Sequence, residues 1–202
     1  LFLFFNNITL KNVDEAYSVS EYLSKQLYKE SKLKSEVVYN KIDKKRFNKK
    51  VKGNKIIKKY NLKNKKILLY VGRLAPHKGI HLLLKSFNTI KKQIPNTKLL
   101  IVGKPTFNNY FQKSKKMANK DVIFTGFVSD KDLPSYYASC NVYVTASLWE
   151  GFNLPAAEAQ ACGKPVVAFD VGPHKEIVKN GKLVKNGNTS KFAEEVMKII
   201  KK

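Results

Sequence analysis

Five short apolar runs alternate with longer segments of helical periodicity over residues 66–202 of this chain. The runs cover residues 67–71, 99–102, 122–124, 142–145 and 166–169. The helical patterns lie near residues 79–93, 108–119, 130–138, 154–162 and 190–200. Runs that are apolar throughout predict strands buried on both faces, and strands that alternate with helices predict parallel pairing. The sequence therefore predicts an α/β fold with a doubly wound, Rossmann-like parallel sheet.

The segment G-R-L-A-P-H-K-G, residues 72–79, follows the first predicted strand, where ligands bind in such sheets. Gly72 permits a tight turn and a close backbone approach, and Arg73 and Lys78 bring two cations just before a helix. Two cations beside a helix start suit a diphosphate. The alternative interpretation is that both are ordinary solvated charges in a loop. The segment matches neither the Walker A pattern nor G-x-G-x-x-G, which argues against an ATPase and a nicotinamide dehydrogenase.

The segment E-G-F-N-L-P-A-A-E, residues 150–158, lies between a predicted strand and a predicted helix. Asn153 is a good N-cap, and Pro155 fits a first helical turn because that turn has no intrahelical partner for its N–H. The helix start suits a phosphate, and Glu150 and Glu158 can accept hydrogen bonds from hydroxyl groups. The pattern predicts a binding site for a nucleotide sugar. The alternative is two ordinary surface acids, but Glu158 lies among alanines that would bring its helix close to a neighbour.

The formal net charge of +24 normally suggests nucleic acid or an anionic membrane as a partner. The lysines, however, are spread over nearly every polar segment, which also fits a general compositional bias towards Lys, Asn and Ile. Arg46 and Arg73 are the only two arginines, although surfaces that clamp phosphates or read bases favour arginine. We therefore expect no nucleic-acid partner, and an anionic membrane surface stays open as a partner.

The two cysteines, Cys140 and Cys162, have neither a metal-ligand spacing nor the density of a secreted disulfide scaffold. That usage favours a reducing, cytoplasmic compartment. The apolar opening at residues 1–5 is far shorter than the ~20 residues that span a bilayer, and it lacks the features of a signal peptide. Because the chain begins without Met, we expect a missing amino-terminal part.

Several further motifs accompany the two segments. They are I-V-G at residues 101–103, F-T-G-F-V at 124–128, S-L-W-E-G-F-N at 147–153 and A-C-G-K-P-V-V at 161–167. In this order and spacing, they resemble the carboxy-terminal, donor-binding half of a GT-B glycosyltransferase of family 4, the retaining glycosyl transferases group 1. Two upstream segments, V-D-E-A-Y-S-V-S-E at residues 13–21 and Y-N-K-I-D at 39–43, resemble the end of that family's amino-terminal domain.

The resemblance implies three parts of the chain. Residues 1–45 are the remnant of the amino-terminal acceptor domain with the crossover, residues 46–65 are a linker, and residues 66–202 are the donor-binding domain. It further implies a UDP- or GDP-hexose donor, transfer with retention of anomeric configuration, and a site that needs no metal or other cofactor.

The resemblance also implies roles for single residues. Arg73 and Lys78 would contact the diphosphate, Glu150 would face the sugar, and these three would form the catalytic set. Glu158 would contact the ribose hydroxyls, and Phe127 with Val128 would line the base pocket. The remaining donor-binding positions are Gly72 at the turn and the backbone N–H groups of Gly151, Phe152, Asn153 and Leu154.

The chain departs from the family pattern after Asp170, where it reads V-G-P-H-K-E instead of a paired glycine followed by Pro and Glu. We also expect a short turn at residues 181–183. The family's acceptor site and its usual catalytic histidine lie in the amino-terminal domain, so none of the three histidines inherits a general-base role. His77 is expected beside the diphosphate and His81 on a helix face, while His174 lies in the departing segment.

Two hypotheses follow. The first is an enzyme, the donor half of a glycosyltransferase that acts on a lipid-linked or surface-polysaccharide acceptor, in the cytoplasm or at the inner face of the membrane. The second is a truncated binding module that holds a nucleotide sugar and transfers nothing by itself.

Overall fold

The computed structural model describes residues 13–201, and the apolar opening at residues 1–5 lies outside the described residues. The described strands are β1 Tyr17–Ser18, β2 Glu36–Val37, β3 Lys66–Val71, β4 Thr97–Val102, β5 Val122–Gly126, β6 Val142–Thr145, β7 Val166–Phe169 and β8 Gly181–Val184. The described α-helices are α1 Glu21–Ser31, α2 Asn54–Lys59, α3 Ile80–Gln93, α4 Asn108–Met117, α5 Leu133–Ser139, α6 Leu154–Ala161, α7 His174–Ile177 and α8 Thr189–Lys201. A 3₁₀ turn, Pro76–Lys78, precedes α3.

The main sheet has six parallel strands in the order β5-β4-β3-β6-β7-β8. The chain runs outward from β3 to β5, returns to the centre at β6, and then runs outward on the other side. The direction of winding therefore reverses between β3 and β6. This confirms the predicted doubly wound parallel sheet, and it makes the carboxyl ends of β3 and β6 the place where a ligand is expected.

Successive residues of the central strands enter two separate cores. Leu68 and Tyr70 belong to one hydrophobic cluster, together with buried residues of α3 and α8. Ile67 and Leu69 belong to the other, together with buried residues of α5 and α6. Helices thus cover both faces of the sheet, which explains why the strands read as continuous apolar runs. All five predicted strands and all five predicted helices are present, with ends that shift by at most three residues.

The sixth strand, β8, corrects one expectation. Residues 181–183 were predicted as a short turn, but Gly181–Val184 pairs in parallel with β7. The strand lies at the edge of the sheet, and Gly181 and Lys182 are exposed. An edge strand of this kind lacks the apolar run that reveals a central strand, so the pattern was missed.

Residues 46–65, predicted as a linker, are packed onto the sheet domain. They contain α2, and Phe47, Ile56 and Leu62 are each at most 3% exposed within the same cluster as β3. A Cβ atom on Gly53 would lie 2.5 Å from the backbone of Ser139, so α2 starts in direct contact with the end of α5. The apolar residues are isolated among lysines, which hides their burial from a composition argument. The three domain boundaries stay a prediction.

The upstream segment, residues 17–37, forms a small unit of its own. Strands β1 and β2 pair in parallel, and α1 connects them. The Ser20 side chain caps α1 by accepting a hydrogen bond from the Leu23 N–H at 3.2 Å. Between residues 13 and 201, no helix combines the length and the apolar character needed to cross a membrane.

Candidate functional site

A cavity of about 270 Å³ opens at the carboxyl ends of β3 and β6, where the winding of the sheet reverses. The segment that leaves β3, residues 72–79, is called the first exit here, and residues 146–155, which leave β6, are the second exit. Both exits line the cavity. The lining residues are Tyr70, Val71, Gly72, Arg73, Lys78, Tyr143, Thr145, Glu150, Asn153, Leu154 and Pro155. The structure therefore brings together the two segments that the sequence singled out.

Two tyrosines beneath the first exit hold its backbone. The Tyr70 hydroxyl donates to the carbonyl oxygen of Arg73 at 3.0 Å, and the Tyr143 hydroxyl donates to the carbonyl oxygen of Val71 at 3.2 Å. Burial raises the pKa of both phenols well above the ordinary value, so both remain protonated donors. These two hydrogen bonds hold the backbone at the start of the first exit against the buried sheet.

Lys78 connects the two exits. It lies beside Gly79, a residue with φ +64°, where a Cβ atom would come within 1.9 Å of the carbonyl oxygen of Ala146. From this position the Lys78 Nζ donates to both carboxylate oxygens of Glu150, at 2.9 and 2.8 Å. The two side chains are only 18% and 9% exposed. Lys78 is thus held against the carboxylate, whereas Arg73 is exposed in the cavity wall.

The second exit presents unpaired backbone donors. Asn153 has φ +76°, and its Oδ1 accepts a hydrogen bond from the Ala156 N–H at 3.3 Å, as expected for the predicted N-cap. None of the N–H groups of residues 151–154 donates a hydrogen bond to an acceptor within residues 13–201. Gly172, with φ +52°, lets the following loop lie against this exit, since a Cβ atom there would be 2.6 Å from the Glu150 carbonyl oxygen. The start of α6, at Asn153 and Leu154, thus meets Arg73 and the Lys78–Glu150 pair at one cavity, an arrangement that suits an anion.

Glu158 lies in the second turn of α6, behind the cavity rather than in its lining. The residue is 8% exposed, and its Oε2 accepts a hydrogen bond from the Tyr137 hydroxyl at 2.6 Å. Burial raises the pKa of this carboxyl group, while the hydrogen bond from Tyr137 and the charge of Arg46 lower it. Arg46 itself donates to the carbonyl oxygen of Asp130 at 2.6 Å. Glu158 is therefore a buried acid with a partner, as the surrounding alanines indicated.

The predicted base pocket involves residues outside the cavity lining. Phe127 is 67% exposed, and the Lys104 Nζ lies 4.9 Å from the centre of its ring. Val128 is partly buried against the cluster that contains α5 and α6. Their role at a nucleotide base stays a prediction.

Residues 52–202 match the family described as Glycosyl transferases group 1, over three quarters of the chain and across both exits. The chain belongs to this family. A relative within it is the capsular polysaccharide biosynthesis glycosyltransferase CapM of Staphylococcus aureus, 34% identical over 156 residues, which are 73% of this chain and 40% of CapM. The chain spans about half the length of the curated relatives that it matches.

Two solved structures resemble this member of the group 1 family closely. Sucrose-phosphate synthase from Thermosynechococcus elongatus superimposes with a TM-score of 0.83 at 28% identity, over 98% of this chain and 52% of that one. Anabaena Alr3699/HepE in complex with UDP-glucose gives a TM-score of 0.88 at 23% identity, over 98% and 57% of the two chains. These likenesses confirm the predicted fold class, the carboxy-terminal half of a GT-B glycosyltransferase.

The upstream segment of this family member is bound directly to the second exit. The Ser20 hydroxyl donates to the carbonyl oxygen of Gly151 at 2.9 Å. The Glu176 carboxylate accepts hydrogen bonds from the backbone N–H groups of Glu21 and Tyr22, both at 2.8 Å, at the start of α1. No sequence pattern marks these contacts, because they join residues more than 130 positions apart.

Two of the three histidines lie in the elements where they were expected, His77 in the first exit and His81 on a helix. The carbonyl oxygen of His77 accepts a hydrogen bond from the Leu148 N–H at 2.8 Å, beside the cavity. His81 lies on α3, with Nδ1 3.0 Å from the Tyr110 hydroxyl. His174, which was given no role, is fully buried against Asn153. The only sequence signal for it was the departure from the family pattern after Asp170.

Sequence reasoning also missed the residues that support the site, namely Tyr70, Tyr143, Tyr137 and Arg46. Tyrosines inside apolar runs read as ordinary core residues, and their hydroxyl contacts become visible only when the strands are assembled. Within residues 13–201, no three or more His, Cys, Asp or Glu side chains are grouped as metal ligands. That the site needs no metal stays a prediction.

Proposed function

We propose that this chain is the donor-binding half of a retaining hexosyltransferase, which transfers a hexose from a nucleoside-diphosphate sugar to an acceptor. The observation that carries the proposal is the cavity at the switch point, which is lined by Arg73, by the Lys78–Glu150 pair and by residues 153–155 at the start of α6. Such a site matches the charge and the hydrogen-bond acceptors of a diphosphate.

The chemistry of transfer agrees with this arrangement. Breaking the anomeric bond leaves negative charge on the departing diphosphate, and donors that are already oriented stabilise that charge where it develops. Lys78 would contact the diphosphate from its place beside Glu150, and Arg73 would approach it from the rim. Glu150 would accept hydrogen bonds from sugar hydroxyls. Transfer with retention of anomeric configuration, which the family resemblance implies, would proceed by front-face attack within an ion pair. Glu150 would orient the sugar and form no covalent bond to it.

The nucleoside would extend over α6. Glu158 keeps Oε1 available when Oε2 accepts from Tyr137, so it can accept a hydrogen bond from a ribose hydroxyl. Phe127 and Val128 are the proposed base contacts. The structural neighbour Anabaena Alr3699/HepE was solved in complex with UDP-glucose, which supports a UDP-sugar as the donor here, and a GDP-sugar is the alternative donor.

We further propose a glycan or lipid-linked acceptor, bound by the amino-terminal domain that the family resemblance implies. The name of CapM, a capsular polysaccharide biosynthesis glycosyltransferase, supports a surface glycan. The excess of lysine would favour a cytoplasmic protein that lies at the anionic inner face of a membrane. Neither a metal nor nucleic acid has a part in the proposal.

A second candidate is a module that binds a nucleotide sugar but has no transfer activity alone. The observation that favours it is the share of about half of each curated relative that the chain spans. The two candidates are separated by adding a separately produced amino-terminal domain of this protein. Transfer that appears on mixing supports the enzyme, whereas donor binding without transfer supports the module.

The donor site is tested by a thermal-shift panel with UDP, GDP, ADP and UMP, in which sodium sulfate controls for non-specific anion binding to so basic a protein. A ligand that binds only the native state at about 100 times its Kd stabilises by about 2.7 kcal/mol. Selective stabilisation by one nucleoside diphosphate supports the site and names the base. Stabilisation no greater than that by sulfate contradicts it.

Calorimetric titration of variants then tests single residues. Arg73→Ala should weaken nucleoside-diphosphate binding by about 1.5–3 kcal/mol, the range for hydrogen bonds to charged groups. Glu158→Gln should weaken binding of the free nucleoside as well, because its contact is to the ribose. Unchanged affinity in both variants would refute the assignment.

A further inference from the structure

His174 forms a buried polar link between the end of β7 and the start of α6. Its Nδ1 lies 2.5 Å from the carbonyl oxygen of Phe169, and its Nε2 lies 2.8 Å from Nδ2 of Asn153. A carbonyl oxygen only accepts hydrogen bonds, so Nδ1 carries the proton. The amide nitrogen of Asn153 only donates, so Nε2 is the acceptor. The network therefore assigns a neutral ring with its proton on Nδ1.

This tautomer fixes the orientation of the Asn153 amide. With Nδ2 turned towards His174, Oδ1 faces the Ala156 N–H and accepts from it at 3.3 Å. Only this orientation satisfies all three hydrogen bonds. His174 therefore holds the N-cap of α6 in place, and Asn153 itself lines the cavity.

Protonation of His174 breaks this arrangement. A second ring proton on Nε2 would face the Asn153 NH₂ group, and two donors cannot bond each other. If the amide flips, its oxygen accepts from the ring but leaves the Ala156 N–H with only the Asn153 carbonyl oxygen, at 3.1 Å, as its acceptor. Each outcome loses a hydrogen bond beside a ring that is fully buried.

The charges around His174 act in both directions. Burial is the main cause that lowers the pKa of the ring, and Lys78 lowers it further. The hydrogen bond to Phe169 and the negative charges of Glu150 and Asp170 raise it, although Asp170 is itself paired with Lys175 at 3.2 Å. The ring therefore stays neutral at physiological pH and gains a proton only on acidification.

We infer that His174 is a positioning residue of the donor site, whose neutral ring holds Asn153 and the anion-binding start of α6, and that protonation of this ring weakens nucleoside-diphosphate binding. The inference rests on the proposed function. A new positive charge would by itself strengthen the binding of an anion. Weaker binding in acid therefore separates the loss of the cap from simple electrostatic attraction.

The test is calorimetric titration with UDP at about pH 8 and about pH 5.5, a range that spans histidine titration. Four proteins are compared: the natural chain, His174→Gln, His174→Asn and the control His81→Gln. Glutamine offers an acceptor near the position of Nε2 and does not titrate. Asparagine replaces the donor to Phe169 but offers Asn153 no acceptor. UDP also gains a proton in this range, so each protein is compared with the natural chain in the same buffer.

We expect acidification to weaken UDP binding about fivefold more in the natural chain and in His81→Gln than in His174→Gln, the equivalent of one lost N-cap. At about pH 8, His174→Asn should bind about fivefold more weakly than the natural chain, and His174→Gln should lie between the two. Equal pH dependence of the natural chain and His174→Gln would overturn the inference alone. Absence of UDP binding by the natural chain at both pH values, with no other nucleotide bound, would overturn the proposed function.

Stability supplies a readout that does not need UDP. Because the pKa of His174 is lowered in the folded protein, the unfolded chain gains the proton first as the pH falls below about 6.5. The stability due to the neutral ring is present above this pH and is lost as the pH falls towards the folded-state pKa. The free energy of unfolding should therefore decline less in His174→Gln than in the natural chain. An identical decline contradicts the inference even if His174→Asn fails to fold.

Discussion

The two exits that line the cavity are held by different kinds of contact. The first exit is held by the sheet beneath it, through the hydroxyls of Tyr70 and Tyr143 and through backbone hydrogen bonds to residues 102–106 at the end of β4. The second exit is held by side chains of three separate segments, Ser20, Lys78 and His174. The shape of the first exit thus follows from the central strands, whereas the second exit depends on side chains from outside the sheet.

This difference predicts different effects of substitutions. Arg73 of the first exit is an exposed cation. At the second exit, the contacts of Gly151 and Asn153 link the site to the upstream segment and to the segment after β7. Changes at the second exit and at Lys78, its partner from the first exit, should therefore alter stability and ligand binding together, whereas a change of Arg73 should alter binding alone.

The largest effect is expected where the exits touch. Gly79→Ala demands a left-handed alanine and a Cβ atom 1.9 Å from the Ala146 carbonyl oxygen, so the two exits must move apart. The backbone strain of about 1–2 kcal/mol and the overpacking of about 1–3 kcal/mol sum to about 3 kcal/mol of lost stability. The measurement is the free energy of unfolding in urea.

The matched control for Gly79→Ala is Gly187→Ala. Gly187 also has a positive φ, of +78°, but a Cβ atom there would meet nothing within 4 Å. It should lose only the strain, about 1 kcal/mol. Equal losses of unfolding free energy in the two variants would mean that the contact between the exits can adjust at little cost.

Removing the cation that connects the exits should be next in size. Lys78→Ala should weaken nucleoside-diphosphate binding by about 1.5–3 kcal/mol, and it should also destabilise the fold because Glu150 is left largely buried without its partner. Arg73→Ala should weaken binding to a similar extent with unchanged stability, since Arg73 is exposed. Calorimetry and urea unfolding measure the two effects. A Lys78→Ala variant that loses affinity but no stability would contradict the proposed coupling.

The contact between α7 and the upstream segment should contribute less to the free energy of unfolding. Glu176→Gln removes a charge from the N-terminus of α1 and one of the two acceptors for its N–H groups, so it should cost about 1 kcal/mol of stability. Glu194→Gln is the control, because Glu194 pairs with lysines on the exposed face of α8 and its loss should change the free energy of unfolding much less. If the two variants lose the same free energy of unfolding, the contact between the upstream segment and α7 does not stabilise the fold.

A contrast between local sequence patterns and contacts of distant residues explains what the sequence could predict. The central strands are apolar throughout because both faces are buried, so their number, order along the chain and parallel pairing were predictable. Local geometry is likewise visible in the sequence, from the turn at Gly72, the N-cap at Asn153 and the first-turn proline Pro155. The cation positions Arg73 and Lys78 followed from their place at a strand end.

The rest depends on contacts between distant residues. Nothing near Ser20 or Glu176 in the sequence indicates that α1 meets the loops of the site. Lysine-rich stretches hid Ile56 and the edge strand β8, because their few apolar residues carry no periodic signal. The pairing of Lys78 with Glu150 joins positions 72 residues apart, and a sequence pattern gives each charge without its partner.

The smallest expected effect is at the support of the first exit. Tyr70→Phe removes the hydroxyl that donates to the Arg73 carbonyl oxygen, and the net loss of one such hydrogen bond is about 1 kcal/mol or less. The ring remains packed in the core, so the strand itself should not change. If the exit is held by the sheet beneath it, the variant should lose this stability and bind nucleoside diphosphates slightly more weakly, with pH dependence equal to that of the natural chain. A changed pH dependence would mean that the first exit communicates with His174, and that the two exits are one cooperative unit.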